Sequence, residues 1–417
     1  MDKLFLSENG REYSYGELIS DLNRIEDGKY FVYYNDHSVY SILIHMIHCF
    51  IHGYSVEILD SDLSETELQH MGIDPALLWK RVELRNRRKI RNINEGIESI
   101  IANGNSHITL YTSGTTGRPK KVRHSLSALL RNVRISDKHS NDIWVFAYNP
   151  THIAGILVLL QAVMNQNSIV YTFGEPHKQL EYALKRYEIT HISASPTYYR
   201  NAITSLNGSY PHVVSTAFGG EKYDKQLEQL LKGIFPNARI LNIYASTETG
   251  SLFTGSGEWF ELNPSMRSLV KISAKGEVLI HYSILGTLEN VPDTTQSEWY
   301  ATGDIVDLGA DNKFRFVSRI SGLINVGGYK ANPEEIEGVL LNVPGVIDVA
   351  VKGQASSVTG NIIVADVMKK PGLDEVVLRR CIKEYAKEQL QHWKVPLIIH
   401  FVEQLPHSRS GKKRRDS

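Results

Sequence analysis

The sequence predicts an α/β protein of at least two domains, and three observations carry that reading. Strand-like apolar runs alternate with helical patterns of about 10–15 residues, which implies βα units and parallel sheets. The chain has 417 residues, more than one ordinary core holds. Its texture changes after residue 270 and again near 319.

Taken in order, YSYGELISDLNRI places Leu18, Leu22 and Ile25 near helical spacing. VYSILIHMIHCFIHGYSVEIL, Val39 to Leu59, approaches membrane-spanning length, but His45, His48 and His52 interrupt it and Gly53 breaks it. It reads as a buried helix followed by the strand YSVEILD, and the histidines as members of a packed helix face, because no carboxylate joins them at metal-ligand spacing. RVELRNRRKIRNINEG lacks periodicity and interleaved aromatics, so it reads as a solvated connection rather than an RNA surface. Three helix–strand pairs follow: GILVLLQAVMNQ with SIVYTF, HKQLEYALKRYE with ITHISAS, and YDKQLEQLLKGIF with ARILNIYA. LVKISAKGEVLIHYS reads as two short strands turning at Lys275-Gly276. Beyond 319 the order is helix–turn–strand (PEEIEGVLLNVPGVIDVAVKG), strand (NIIVADVMK), then helix (EVVLRRCIKEYAKEQL). These patterns divide the chain into residues 1–318, a connection at 319–321, and residues 322–417.

Lys+Arg and Asp+Glu number 46 each, so net charge gives no reason to favour nucleic acid or an anionic membrane. Cys49 and Cys381 stand far apart, which argues against a disulfide scaffold or zinc site and fits a reducing, cytoplasmic location. The first residues show no basic-then-apolar signal pattern.

The segment LYTSGTTGRPKKV, Leu110 to Val122, concentrates chemistry in one loop. Gly114 and Gly117 allow close backbone approach. Thr112, Ser113, Thr115 and Thr116 bring hydroxyls, successive N–H groups form an anion-binding concavity, and Lys120 adds charge. That set suits a polyphosphate. It is not the Walker pattern, whose glycines are separated by four residues.

YTSGTTGRPK closely resembles the phosphate-binding loop of the adenylate-forming superfamily, and further segments resemble that family's motifs in order along residues 105–415. IYASTETG resembles its Tyr-Gly-x-Thr-Glu segment, which implies phosphate contact by Thr247, Mg²⁺ binding by Glu248 and adenine stacking by Tyr244, with Ala245 where Gly is usual and Ser246 between. STAFGGEKY resembles the turn lining adenine and acyl group, implicating Phe218, Gly219, Gly220 and Glu221. WYATGDIVDL places Asp304 where a carboxylate takes both ribose hydroxyls, and SRISGL places Arg319 beside it and Ser321 at the hinge, where Asp or Lys is usual. LPHSRSGKKRR resembles the C-terminal motif and aligns Lys412 with the catalytic lysine, although His407 and Ser408 replace the usual Arg-Thr. In NPTHIAGILVLLQAV, His152 falls at the family's acyl-site gate, and no Asp lies between Asn149 and Gly155 to hold an amino acid's amine. Ala194, Phe218 and Ala245 are expected to help line the acyl pocket, and Gly327-Gly328 the pantetheine tunnel. Alone, each short Thr-Glu, Gly-Gly or Thr-Gly-Asp would read as an ordinary turn or helix start.

The resemblance implies a large N-terminal domain of βα-layered sheets with a small β-barrel-like part, plus a small mobile α+β C-terminal domain. It implies an acid–thiol ligase using ATP and Mg²⁺: a carboxylate attacks the α-phosphorus to give acyl-AMP and pyrophosphate, and a thiol then takes the acyl group. Lys412 would bridge carboxylate and α-phosphate, because two anions must meet. The thiol is that of coenzyme A or of a carrier protein's phosphopantetheine. A non-catalytic nucleotide-binding relative would retain ATP affinity alone.

Overall fold

A computed structural model describes residues 3–25, 29–78, 80–83, 88–112, 120–262, 264–289, 297–326, 329–356, 360–409 and 413–415. An eight-stranded sheet organises the large domain. Its strands are β1 (Leu4–Glu8), β2 (Arg11–Ser14), β3 (Ile143–Phe146), β4 (Ser168–Tyr171), β5 (His191–Ala194), β6 (Ser215–Gly219), β7 (Arg239–Ser246) and β8 (Gly250–Gly255), in the spatial order β8-β7-β6-β5-β3-β4-β1-β2. The six inner strands run parallel and the two edge pairs, β1–β2 and β7–β8, antiparallel. The β1–β2 turn is Asn9-Gly10, both at positive φ (50° and 82°), as a tight hairpin requires.

A five-stranded sheet faces it, built around the antiparallel pair His107–Thr112 and Lys120–Ser125. Helices α1 (Val39–His52) and α2 (Ile153–Met164) share one core cluster with residues of both sheets, which explains why they are apolar on nearly every side. Glu8 starts α1: its carboxylate accepts from the backbone N–H of Val39 (2.7 Å) and Tyr40 (3.0 Å). Two of the three α1 histidines, His45 and His48, are buried in the packed helix face and His52 is half-buried at its end. His45 Nε2 donates to the Phe31 carbonyl at 2.8 Å, and burial pushes the pKa of His45 down to about 4 and that of His48 to about 3. No helix among the described residues is long and apolar enough to cross a membrane.

On the sheet's other face, α3 (Pro196–Ile203) and α4 (Lys225–Ile234) cover a second core. A second five-stranded sheet, antiparallel throughout, follows over residues 259–319. It includes the expected hairpin of Val270–Ile272 with Glu277–His281 and is the barrel-like part. From Ile324 onward a separate core forms. Helix α5 (Pro333–Leu340), strands β9 (Val346–Ser356) and β10 (Gly360–Lys369), helix α6 (Glu375–Gln389) and strand β11 (Ile398–Val402) make an α+β unit with sheet order β9-β10-β11. One sequence reading needs correcting: the supposedly patternless connection contains the strand Arg81–Glu83, paired antiparallel with Lys29–Phe31.

Candidate active site

The carboxyl ends of β5, β6 and β7 open into a cavity of about 2070 Å³, the end of a parallel sheet where ligands are generally received. Both domains line it.

One region gathers Lys120, Tyr244, Thr247, Glu248, Asp304 and Arg319. The Tyr244 hydroxyl donates to Asp304 Oδ2 at 2.6 Å, and Arg319 Nε reaches Asp304 Oδ1 at 3.1 Å. Burial, then the adjacent Asp304 charge, raises the Tyr244 pKa far above the ordinary value, so it stays a neutral donor. The Thr247–Glu248 turn is pinned from behind. His124 Nε2 donates to the Thr247 carbonyl (2.6 Å), and the Gly286 N–H to the Glu248 carbonyl (2.8 Å). The Glu248 side chain, in a residue 8 % exposed, lines the cavity and makes no hydrogen bond or ion pair among the described residues. A carboxylate that faces the cavity without a direct bond, with Arg319 a charged neighbour at longer range, fits a cation ligand.

A second region lies between the sheet and α2. Ile153, Ala154, Leu157, Val158 and Gln161 form one face of the helix over about 12 Å of its length. Trp144, Tyr148, Ser193, Gly219 and Ala245 oppose them. Gly219 is required here: a Cβ at this position would sit 2.9 Å from the Tyr148 hydroxyl. Among the described residues this wall carries no Lys or Arg.

At the mouth stands Asp60. Its Oδ1 accepts from Asn149 Nδ2 (2.7 Å) and Thr151 Oγ1 (2.6 Å), and its Oδ2 lies 3.7 Å from His152 Nε2. Burial alone would raise the Asp60 pKa, but His152, Thr151 and Asn149 together hold it down at about 2. Its stabilising contribution is therefore complete above the ordinary 3.8 and fades as pH falls towards 2. Asp60→Asn should cost on the order of 2 kcal/mol at pH 7. Urea titrations should show the gap to wild type narrowing at pH 3, whereas a gap independent of pH would contradict the assignment.

The third region is the C-terminal tail. Arg409 pairs with Asp62 (2.8 Å) and Glu67 (2.9 Å), and its carbonyl accepts from Asn149 Nδ2 (3.0 Å). The Lys413 N–H donates to Glu221 Oε1 at 3.3 Å. The tail thus closes over the cavity, bringing His407, Ser408 and Arg409 to its lining.

Residues 52–277, more than half of the chain, match the model of the AMP-binding enzyme family. The chain belongs to that family. Residues 335–412 match the C-terminal domain of AMP-binding enzymes. The chain is 29% identical over 327 residues to the 2-succinylbenzoate–CoA ligase of Listeria innocua, covering 74% of this chain and 68% of that protein. It is 26% identical over 353 residues to 4-hydroxybutyrate–CoA ligase 1 of Metallosphaera sedula, covering 74% and 61%. The fold is similar to that of o-succinylbenzoate CoA synthetase (MenE) from Bacillus subtilis in complex with its acyl-adenylate intermediate: TM-score 0.69, 20% identity, 99% of this chain and 94% of that one. It also resembles the anthranilate CoA ligase AuaEII, with TM-score 0.72, 17% identity, and coverage of 99% and 92%.

In this AMP-binding enzyme the structure brings most of the anticipated residues that it describes to one cavity: Lys120, His152, Gly219, Gly220, Glu221, Tyr244, Ala245, Ser246, Thr247, Glu248, Asp304 and Arg319. Ser113, Gly114, Thr115, Thr116, Gly117, Gly327, Gly328 and Lys412 lie outside the described residues, as do the side chains of Thr112 and Ser321. The strands flanking the phosphate-loop segment pair with Thr112 opposite Lys120. Ser321 belongs to a single 3₁₀ turn, Ile320–Gly322.

Two expectations are corrected. Ala194 and Phe218 are fully buried in the second core, on the opposite face of the sheet, and do not line the cavity. Side chains alternate along a strand, so their neighbours Ser193, Ser195 and Gly219 line it instead. Glu221 reaches the cavity, but Oε2 already accepts from Thr197 N (3.1 Å) and Oγ1 (2.8 Å), and Oε1 from the tail. Its carboxylate joins domains before it serves any nucleotide. Sequence reading missed Asp60, Tyr148 and Asn149; no motif marks Asp60 or Tyr148, and Asn149 opens the acyl-site segment without being singled out in it.

Among the described residues, one group of three potential metal ligands comes within sharing distance: His139, Asp142 and His191. It sits at the amino ends of β3 and β5, opposite the cavity. There Lys3, bonded to the Ser140 carbonyl at 2.5 Å, balances Asp142, so no cation is needed.

Proposed function

We propose that this protein activates an uncharged-tail carboxylic acid with ATP and passes it to coenzyme A. The observation that carries the reading is the convergence of Glu248, Asp304, Arg319, Lys120 and the C-terminal tail on the same cavity as His152 and the apolar α2 face. Asp304 and Arg319 suit the ribose, because a carboxylate can accept from two vicinal hydroxyls. Glu248 would hold Mg²⁺ together with the nucleotide's phosphates; the ion, when bound, neutralises phosphate charge. The hydroxyl- and glycine-rich segment 113–117 would cradle the phosphates, and Lys412 would offset the repulsion between the incoming carboxylate and the α-phosphate.

In the first half-reaction the acid's oxygen bonds to the α-phosphorus, and the bond to the bridging oxygen of pyrophosphate breaks. His152, oriented beside Asp60, stands at the entrance to the acyl region, where it would contact the carboxylate. In the second half-reaction a thiol sulfur replaces AMP at the acyl carbon. Residues 319–321, between the two cores, would serve as the pivot between these steps, with Ser321 as the hinge residue. Gly327 and Gly328 would flank the thiol's approach.

The relatives named above act on 2-succinylbenzoate and 4-hydroxybutyrate. Here the acyl wall lacks Lys and Arg among the described residues, so an acid whose distal end carries a second carboxylate would be buried without a counter-charge. Aryl acids and alkyl acids matching about 12 Å of helix should therefore release pyrophosphate from ATP, with CoA accelerating turnover. Malonate and 2-succinylbenzoate should be at least about tenfold poorer, since 1.4 kcal/mol is already a factor of ten. Coupled pyrophosphate assays with and without CoA test this. Pyrophosphate release that CoA does not accelerate, but a carrier protein does, would move the acceptor to that thiol; preference for a dicarboxylate would refute the pocket reading.

A further inference from the structure

Asp348 lies at the start of β9 in the small domain and is 1 % exposed. Its Oδ1 accepts from Lys413 Nζ at 2.6 Å and stands 3.6 Å from Nη1 of Arg200, a residue of α3 in the large domain. Lys413 also donates to the Val349 carbonyl (2.7 Å) and approaches Glu337 (3.9 Å). Arg200 holds Asp224, the N-cap of α4, at 2.7 Å. Burial by itself would raise the Asp348 pKa, and Lys413 first, then Arg200, bring it below the ordinary value.

From this arrangement we infer that Arg200 is a positioning residue: its bond to Asp348 holds the small domain, and with it the Lys413 end of the tail, in the docked position over the cavity. The inference rests on the ligase reading for its purpose, since Lys412 immediately precedes Lys413 and Arg409 is anchored on the other side. Its geometry stands independently.

The three ion pairs differ in a telling way. Those within a domain, Lys413–Asp348 and Arg200–Asp224, are short; the one between domains is a full ångström longer. When the small domain withdraws, Asp348 keeps Lys413 and Arg200 keeps Asp224. No buried charge is orphaned, so the contact can be made and broken repeatedly. A lone interdomain pair would strand a carboxylate in the interior at each departure. Removing Arg200 leaves Asp348 neutralised by its own domain and takes away the buried ionic contact that draws that domain back, leaving the outer ties of Arg409 and the Lys413 N–H.

The test uses the full chain and needs no acid substrate. Gln226 of α4 and Asn342, just after α5, touch across the same interface through their side-chain amides. In a Cys381→Ser background, Gln226→Cys with Asn342→Cys should be joined rapidly by a short bis-maleimide. Adding Arg200→Gln should slow cross-linking about tenfold with circular dichroism unchanged, and Arg200→Lys should restore the rate. If Arg200→Gln does not fold, Asp348→Asn carries the same expectation, because Arg200 then meets no carboxylate across the interface while Lys413 keeps the Val349 carbonyl. Cross-linking as fast as in the parent, or loss that Arg200→Lys fails to recover, overturns the inference. A failure of the ligase reading would show instead as absent pyrophosphate release with cross-linking intact.

Discussion

Lys412→Ala should lose adenylate formation by about 10²–10³-fold, the range for removing one preorganised group that stabilises developing charge. Thioester formation from a supplied acyl-adenylate should stay near the wild-type rate. The first step pushes a carboxylate against a phosphate, and a desolvated ammonium between them offsets that repulsion far more than water does. The second step has no such encounter, since the thiol sulfur attacks an uncharged acyl carbon and AMP departs with the electron pair of the broken C–O bond. The residues on either side of the Ser410–Lys412 segment are fixed, Arg409 by Asp62 and Glu67, Lys413 by Asp348 and Glu221. Pyrophosphate exchange that survives the substitution within a few-fold would remove the lysine from the chemistry.

Glu248→Ala should raise the Mg²⁺ concentration needed for half-maximal pyrophosphate release by about tenfold or more, equivalent to about 1.4 kcal/mol of lost ion binding. The same change should leave the melting temperature of the metal-free protein unchanged or higher. The Glu248 carboxylate opens into the cavity with no direct bond among the described residues, only the longer-range charge of Arg319, so its removal takes little stability with it. Opposite signs for activity and stability are the mark of a group retained for a ligand. A lower melting temperature with unaltered metal dependence would instead make Glu248 a structural residue.

The parallel sheet was legible because helical and strand-like runs alternate in the chain from α2 to β7. The hairpin β1–β2 carried a turn signal that was passed over, Asn9-Gly10 after the apolar start of β1, and its strands form one edge of the main sheet. The strand Arg81–Glu83 was not legible: with three residues it has no period to display, and its partner Lys29–Phe31 lies far upstream. Much of the site was readable because the family's motifs are contiguous loops at strand ends, such as Thr247-Glu248 after β7. Asp60, Arg200 and Asp348 escaped notice because each gains meaning only from a partner brought close by the fold. Ala194 and Phe218 show a subtler limit. The strand of Ala194 was read and that of Phe218 was taken for a turn, and in both a shift of one position selects the opposite face.

The Asn149 side chain has a consequence for how the enzyme takes its ligands. One amide nitrogen serves both Asp60 at the acyl mouth and the Arg409 carbonyl of the tail, while the amide oxygen accepts from Thr151. Acid entry and tail arrival therefore share a single hydrogen-bonding group. If the bound acid changes the tail's affinity by some factor, the docked tail changes the acid's by the same factor, because linkage between binding events is reciprocal. The empty pocket and the occupied one should hold the tail with different tenacity, so the acid itself helps decide when the ammonium is delivered.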